Sequence, residues 1–185
     1  GRSVIVRHDA DGHITDLTPA QCNVRSRVHE YGGGALCIDG DDLYFSNHAD
    51  QRLYRQHGET EPQPLTASGA MRFAETIVDR ARHRLICIRE DHSDASREAV
   101  NTLVAINLAD GRESVLLEGH DFYAAPCLSP DGSQLAWISW DHPNMPWDGT
   151  DLWCASVATD GSLGTPRKIA GGIDDPIFQP AWSPV

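Results

Sequence analysis

The stretch LSPDGSQLAWISWDHPNMPWDGTDLWCASV, residues 128–157, predicts three β-strands joined by a tight turn and a long polar loop. Its Pro-Asp-Gly at 130–132 supplies the side-chain hydrogen bond and the positive φ that a hairpin turn needs. The flanking runs, LAWIS at 135–139 and DLWCASV at 151–157, are typical of strands bounded by turn formers. The segment between them, WDHPNMPWDGT, is too long for a simple turn, and its two tryptophans favour a structured loop.

The same pattern recurs along the chain. Second-strand runs LYF, LIC and LAW begin at residues 43, 85 and 135, and third-strand leucines follow at 53, 103 and 152. Each unit also opens and closes with a strand-like run: GGALCI (33–38), RFAETIV (72–78) and YAAPCL (123–128) open them, and PQPLT (62–66), RESVLLEG (112–119) and PRKIAGG (166–172) close them. Four short strands in a repeat of about 40–50 residues indicate the blades of a β-propeller.

The predicted fold is therefore all-β, a partial β-propeller of four-stranded antiparallel blades. The chain divides into a half blade at 1–18, blades at 31–66, 71–119 and 121–172, and the start of a further blade at 177–185, where QPAWSP repeats the pattern of APCLSP. An α/β fold is disfavoured because no segment has helical periodicity, and strands of a β-sandwich would not recur in register. A ring left open exposes strand edges, so we expect a fragment, or a chain completed by another copy of itself.

Composition excludes several partners. The net charge of −12 disfavours nucleic acid and anionic lipid, and the apolar runs are too short to span a membrane. Five cysteines without a C-x-x-C pair predict buried free thiols in a reducing compartment, so a cytoplasmic location is expected.

Motifs for catalysis are not found in the sequence. There is no G-x-S-x-G elbow, no H-E-x-x-H and no glycine-rich phosphate loop leading into a helix. The clusters DADG (9–12) and DGDD (39–42) predict hairpin turns, because they lack the remaining ligand positions of a calcium loop. We nominate no catalytic residue and expect no metal and no cofactor.

Two stretches carry an unusual density of polar and aromatic side chains. In RVHEYGGGA (27–35) the glycines permit close backbone approach beside charged residues, although a glutamate–arginine pair at the start of a blade is an equal alternative. In WDHPNMPWDGT (140–150) the tryptophans either staple the loop over its blade or form a surface for a partner domain or ligand.

These residues resemble the β-propeller of prolyl-oligopeptidase-family serine peptidases, in particular the acylaminoacyl-peptidase and dipeptidyl-peptidase-like branch. The segments that carry the resemblance are RSRVHEYGGG (25–34), LYFSN (43–47), the stretch from LSPDG to TDLW (128–153) and QPAWSP (179–184). The last motif and S-P-D-G also occur in TolB-like propellers. In the peptidase family the propeller caps an α/β-hydrolase domain that carries the catalytic triad, a domain absent from this sequence.

The resemblance implies a non-catalytic segment that gates access of short peptides to the hydrolase domain of a parent peptidase. The residues expected to face the cavity or that domain are Glu30, Tyr31, Asp141, His142, Trp147 and Asp148. No glutamate pair for binding a peptide N-terminus can be transferred, because the sequence has no Glu-Glu. The alternative is a stand-alone TolB-like propeller that binds a protein partner. Open blade edges predict self-association in either case.

Overall fold

The computed structural model describes residues 1–184, so Val185, which ends the predicted last partial blade, lies outside the described residues. A two-stranded sheet comes first, with β1 at Val6–His8 and β2 at Ile14–Asp16. Blade I follows with β3 to β6, at Leu36–Asp39, Asp42–Ser46, Leu53–His57 and Gln63–Pro64. Blade II holds β7 to β10, at Met71–Asp79, Arg84–Asp91, Val100–Asn107 and Glu113–Leu117. Blade III holds β11 to β14, at Phe122–Leu128, Gln134–Trp140, Asp151–Ser156 and Arg167–Gly171.

Each blade is a four-stranded antiparallel sheet in which consecutive strands pair in sequence order. The first strand of blade II contacts the first strands of both neighbouring blades, so the first strands lie on the inner side of the array. This arrangement is a partial β-propeller, and the predicted fold class is confirmed. The helical content is a single 3-10 turn at Arg80–Arg82, in the part of the chain that is described, and no helix there is long and apolar enough to cross a membrane.

The hydrophobic core lies between blades. Ile86, Ile88 and Leu103 of blade II pack against Leu135 and Trp137 of blade III. A second cluster joins blades I and II and includes Tyr44, Leu53, Phe73, Leu85 and Ile106. Because β8 is covered on both faces by neighbouring blades, its residues are buried almost continuously and show no alternation of buried and exposed positions. Stacking of blades therefore supplies the burial that a single sheet could not provide.

The Asp-rich segments form the predicted turns. Asp9 accepts hydrogen bonds from the backbone N–H groups of Asp11 and His13 between β1 and β2, and Gly12 has a φ of 82°. DGDD forms the β3–β4 turn, where Gly40 has a φ of 61°. All five cysteines are free thiols, three of them buried.

The strand predicted at Ile177–Pro184 does not form. The structure assigns no strand to residues 177–184, although Trp182 Nε1 donates to the carbonyl of Cys127 at 3.0 Å and the backbone N–H of Ile177 donates to Thr150 Oγ1 at 2.7 Å. A ladder needs a second strand alongside, and none of the described residues supplies one. The segment instead lies against blade III.

Candidate functional site

A cleft of about 840 Å³ lies between blades II and III, at the ends of strands β8 and β12. Four segments that are distant in sequence meet there: the turn at 29–31, the β8–β9 connection, the start of β11 and the loop after β12. Its lining comprises His29, Glu30, Tyr31, Glu90, His92, Arg97, Glu98, Ala99, Val100, Asn101, Gly119, His120, Asp121, Phe122, Trp140, His142, Met145 and Pro146.

One wall of the cleft is aromatic. Phe122 and Trp140 are cross-strand partners in β11 and β12, and their rings stack with centroids 5.1 Å apart. The His29 ring meets both edge-on, at 5.6 Å from Phe122 and 5.3 Å from Trp140. Tyr31 remains 58% exposed beside them. Stacked and edge-on contacts of this kind fix the orientation of the three rings. Tyr31 is accessible to a ligand beside them.

The floor of the cleft is polar and internally paired. Glu90 is buried, and its carboxylate accepts the backbone N–H of His29 at 2.6 Å and lies 2.9 Å from His92 Nε2. Arg72 contacts the carboxylate of Glu30 at 2.6 Å, and this ion pair lowers the pKa of Glu30. Burial lowers the pKa of His29, while Glu90 opposes the shift. Neutral His29 is thereby favoured, and Glu30 and Glu90 are held in place before any ligand arrives.

The lining is acidic. It carries four carboxylates, those of Glu30, Glu90, Glu98 and Asp121, against a single arginine. It contains no serine, cysteine or lysine among the described residues, and no group of three metal-ligating side chains is arranged around an ion site anywhere in the described chain. Such a lining can bind polar or aromatic groups, and its charge favours cationic over anionic ligands.

The six predicted site residues do not all lie at one site. Glu30, Tyr31 and His142 line the cleft, and His142 also lines, together with Asp141, a smaller pocket of about 240 Å³. Trp147 lies outside both pockets and is 66% exposed, and Asp148 accepts the backbone N–H of Met145 at 2.8 Å. A gating or interdomain role for these residues remains a prediction.

Sequence reasoning missed most of the cleft. The buried Glu90 and the stacked Phe122 sit in runs that look like ordinary strands, so no local signal marked them, whereas Trp140 belongs to the stretch 140–150 that the sequence had singled out. A signal did exist for His120 and Asp121, because this dipeptide precedes one strand and its mirror image, Asp-His at 141–142, follows the strand that pairs with it.

No protein-family model matches the chain, and no curated protein matches it. The chain is similar to the crystal structure of a puromycin hydrolase, with 33% identity and a TM-score of 0.91 over 99% of this chain and 31% of that one. It is also similar to a puromycin-hydrolysing peptidase from Mycobacterium tuberculosis, with 33% identity and a TM-score of 0.82 over 96% of this chain and 31% of that one.

A TolB-type protein from Agrobacterium tumefaciens shares the fold, with a TM-score of 0.67 and 15% identity over 100% of this chain and 63% of that one. The chain thus spans about a third of the length of the two peptidase structures it resembles. Near-complete superposition at 33% identity confirms the resemblance seen in the sequence, and this chain is a β-propeller segment of the prolyl-oligopeptidase family.

Proposed function

We propose that this chain is the propeller part of a serine peptidase and that it restricts access of substrates to a hydrolase domain elsewhere in the parent protein. The observation that carries the proposal is the match over 99% of this chain to only 31% of a puromycin hydrolase, which leaves most of that enzyme outside the match. In the relatives, propellers of this kind are attached to hydrolase domains. The absence of a G-x-S-x-G elbow from this sequence is consistent with a reacting serine on such a domain.

The cleft supports a selective role for the propeller. It is a preformed concave site whose rigid aromatic wall and paired carboxylates present fixed groups to a small molecule. Both similar peptidase structures are named for hydrolysing puromycin, a small substrate. Short peptides and aminoacyl amides are accordingly the substrate class that we propose for the parent. The free thiols are consistent with a cytoplasmic location, which belongs to the same proposal.

Labelling with a serine-directed fluorophosphonate tests the division of labour. We expect this chain alone to remain unlabelled, whereas the full product of its gene, with an intact mass well above 20.3 kDa, is labelled at one serine. Pretreatment with an unlabelled phosphonate serves as the control. Labelling of any serine within residues 1–185 would contradict the proposal.

Substrate length tests the gating role itself. The full gene product should hydrolyse short aminoacyl and peptidyl amides and leave a folded protein carrying the same sequence uncut. If the chain is instead a stand-alone TolB-like binding module, the natural gene product should have a mass near 20.3 kDa and should retain a specific protein partner at physiological salt. Equal hydrolysis of short and folded substrates would remove gating from the proposal while leaving the peptidase assignment intact.

A further inference from the structure

Asn101 brings a polar side chain to the end of a buried apolar layer. It lies on β9 opposite Glu90 of β8, and alternate side chains of both strands face blade III. The neighbouring members of this layer, Ile88 and Leu103, are fully buried between the blades. Asn101 and Glu90 occupy the next positions, where the layer meets the cleft, and both line it.

Asn101 differs from the paired groups on the floor of the cleft. It is 5% exposed, and its Oδ1 is buried without a hydrogen-bond partner among the described residues. Glu90 is as deeply buried, but one of its oxygens accepts the backbone N–H of His29 and the other lies 2.9 Å from His92 Nε2. Buried polar atoms are nearly always paired, so an unpaired acceptor at a cleft indicates a partner that comes from outside the chain.

The charged donors of the cleft are committed to carboxylates. Arg72 donates to Glu30 at 2.6 Å, and Arg97 pairs with Asp94 at 2.7 Å. If either arginine turned to Asn101, it would exchange a bond to a charged oxygen for a weaker bond to a neutral one. The Oδ1 of Asn101 therefore stays available to a donor that enters the cleft.

A second unpaired polar atom lies at the same cleft. His29 Nε2 is buried without a partner among residues 1–184, and burial lowers the pKa of His29, which favours a neutral ring. Tyr31 Oη lies 3.5 Å from the other ring nitrogen, Nδ1. A neutral ring has one N–H, and when Nδ1 accepts from the Tyr31 hydroxyl this N–H is on Nε2. The cleft thus offers an acceptor on Asn101 and a donor on His29.

An amide matches these two atoms, because it carries both an N–H donor and a carbonyl acceptor. An ammonium group supplies donors alone, and an ionised carboxylate supplies acceptors alone and is repelled by the acidic lining. Tyr31 and Met145, which are 58% and 37% exposed, add apolar surface to the same cleft. The lining is therefore complementary to an amide with an apolar or aromatic substituent.

We propose that Asn101 is a specificity-determining residue of the cleft, whose Oδ1 accepts the N–H of a peptide amide. His29 Nε2 is the donor to the carbonyl of the same ligand. The choice of a peptide as ligand rests on the proposed function, whereas the unpaired acceptor does not. A ligand without the N–H leaves Asn101 unpaired and should bind about ten-fold more weakly.

Two small probes test the proposal on the 185-residue chain, with nuclear magnetic resonance of its backbone amides as the readout. N-methyl-3-phenylpropanamide carries one amide and one aromatic ring, and methyl 3-phenylpropanoate is its ester, in which oxygen replaces the N–H. We expect both probes to shift residues 29–31 and 98–101, with a Kd about ten-fold lower for the amide. This ratio is measured on the parent chain and needs no variant.

Substitution assigns the preference to one side chain. Asn101→Leu removes the acceptor at similar volume and should bring the two Kd values within about two-fold of each other. Thr102→Val is the matched control, because Thr102 is buried on the opposite face of β9, where its hydroxyl donates to the carbonyl of Arg89 at 3.3 Å. This variant should keep the preference for the amide.

Three results would overturn the proposal: equal Kd values in the parent chain, a preference that survives Asn101→Leu, or no saturable shift up to the solubility limit of the amide. The cation 3-phenylpropan-1-amine is the third probe. If it bound more tightly than the amide and lost this advantage in Asn101→Leu, the acceptor would serve a cationic ligand and the amide assignment would be wrong. None of these results affects phosphonate labelling of the full gene product, so failure of the amide site is distinguishable from failure of the proposed function.

Discussion

Glu75 joins three consecutive blades from a single position on β7. Its backbone N–H donates to the carbonyl of Gly34, ahead of β3 in blade I, and its carboxylate accepts the backbone N–H of Ala125 in blade III. Glu75 has a φ of 54° and Ala125 a φ of 50°, a left-handed conformation uncommon outside glycine. Both residues lie within β-bulges, which re-aim the backbone toward the neighbouring blade.

Substitutions at Glu75 separate its hydrogen bond from its charge. Glu75→Gln keeps an acceptor for Ala125 and removes a partly buried charge, so we expect unchanged or increased stability at pH 7.5. Glu75→Ala leaves the N–H of Ala125 without its partner, at a cost of about 1–3 kcal/mol in the free energy of unfolding. Urea denaturation of both variants measures this difference, and an alanine variant as stable as the glutamine variant would contradict the role.

The pH dependence of stability follows from the same residue. Burial raises the pKa of Glu75 above the ordinary 4.5, while the Ala125 N–H opposes the shift. A carboxyl with a raised folded-state pKa binds more protons folded than unfolded, so its contribution falls as pH rises from 4.5 through the folded value. Subtracting the urea-derived stability of Glu75→Gln from that of the parent chain, pH by pH, should isolate this decline. A difference that rises with pH would mean that the carboxylate is stabilised instead.

For strands and loops, the sequence pattern predicted most strand positions correctly. The run LAWIS lies within β12, and all of TLVAINL except Leu108 lies within β9, because aromatic and β-branched residues next to an Asp-Gly turn favour a strand locally. The cleft could not be located in this way. Glu90 and Trp140 are fifty residues apart and line the same cleft only because blades II and III stack, a relation that no local pattern encodes.

The segment after blade III repeats a backbone conformation of the earlier blades without forming a strand. Gln179 has a φ of 51°, close to the values at Ala125 and Glu75, and these three positions are aligned by the repeat. The backbone conformation at the inner position thus recurs although no ladder forms there. Residues 177–184 form no strand because no described residue pairs with them, although their sequence keeps the strand-forming pattern of the repeat.

A glycine sets the position of the loop after β12. A Cβ on Gly149 would lie 2.3 Å from the carbonyl oxygens of Gly172 and Ile173, whereas a Cβ on Gly172 would meet nothing within 4 Å. Gly149→Ala should therefore push the 141–150 loop away from the end of blade III and cost about 1–3 kcal/mol. Gly172→Ala is the matched control and should be nearly neutral. Urea denaturation gives the cost, and amide shifts of residues 141–150 report the displacement; equal behaviour of the two variants would contradict the close approach.

In the molecule as a whole, the blades stack in sequence order, and apolar side chains are exposed at both ends of the stack. Val6 and Ile14 are exposed on the first sheet, and Ile169, Ile173 and Phe178 are exposed on and beside blade III. Interior blade faces bury such residues against the next sheet, as the cluster between blades II and III shows. Exposed apolar surface and sheet edges of this kind favour association.

We therefore expect the 185-residue chain to self-associate through these end surfaces. Multi-angle light scattering should give a mass above 20.3 kDa that grows with concentration. Replacing Ile173 and Phe178 with serine should shift the mass toward the monomer, because each substitution removes exposed apolar area that association would bury. Replacing Val115, an exposed apolar residue of blade II away from both ends, is the control and should leave the mass unchanged. A constant monomer mass across a hundred-fold range of concentration would show that these apolar surfaces stay exposed to water. The predicted self-association would then be wrong, and the fold assignment would be unaffected.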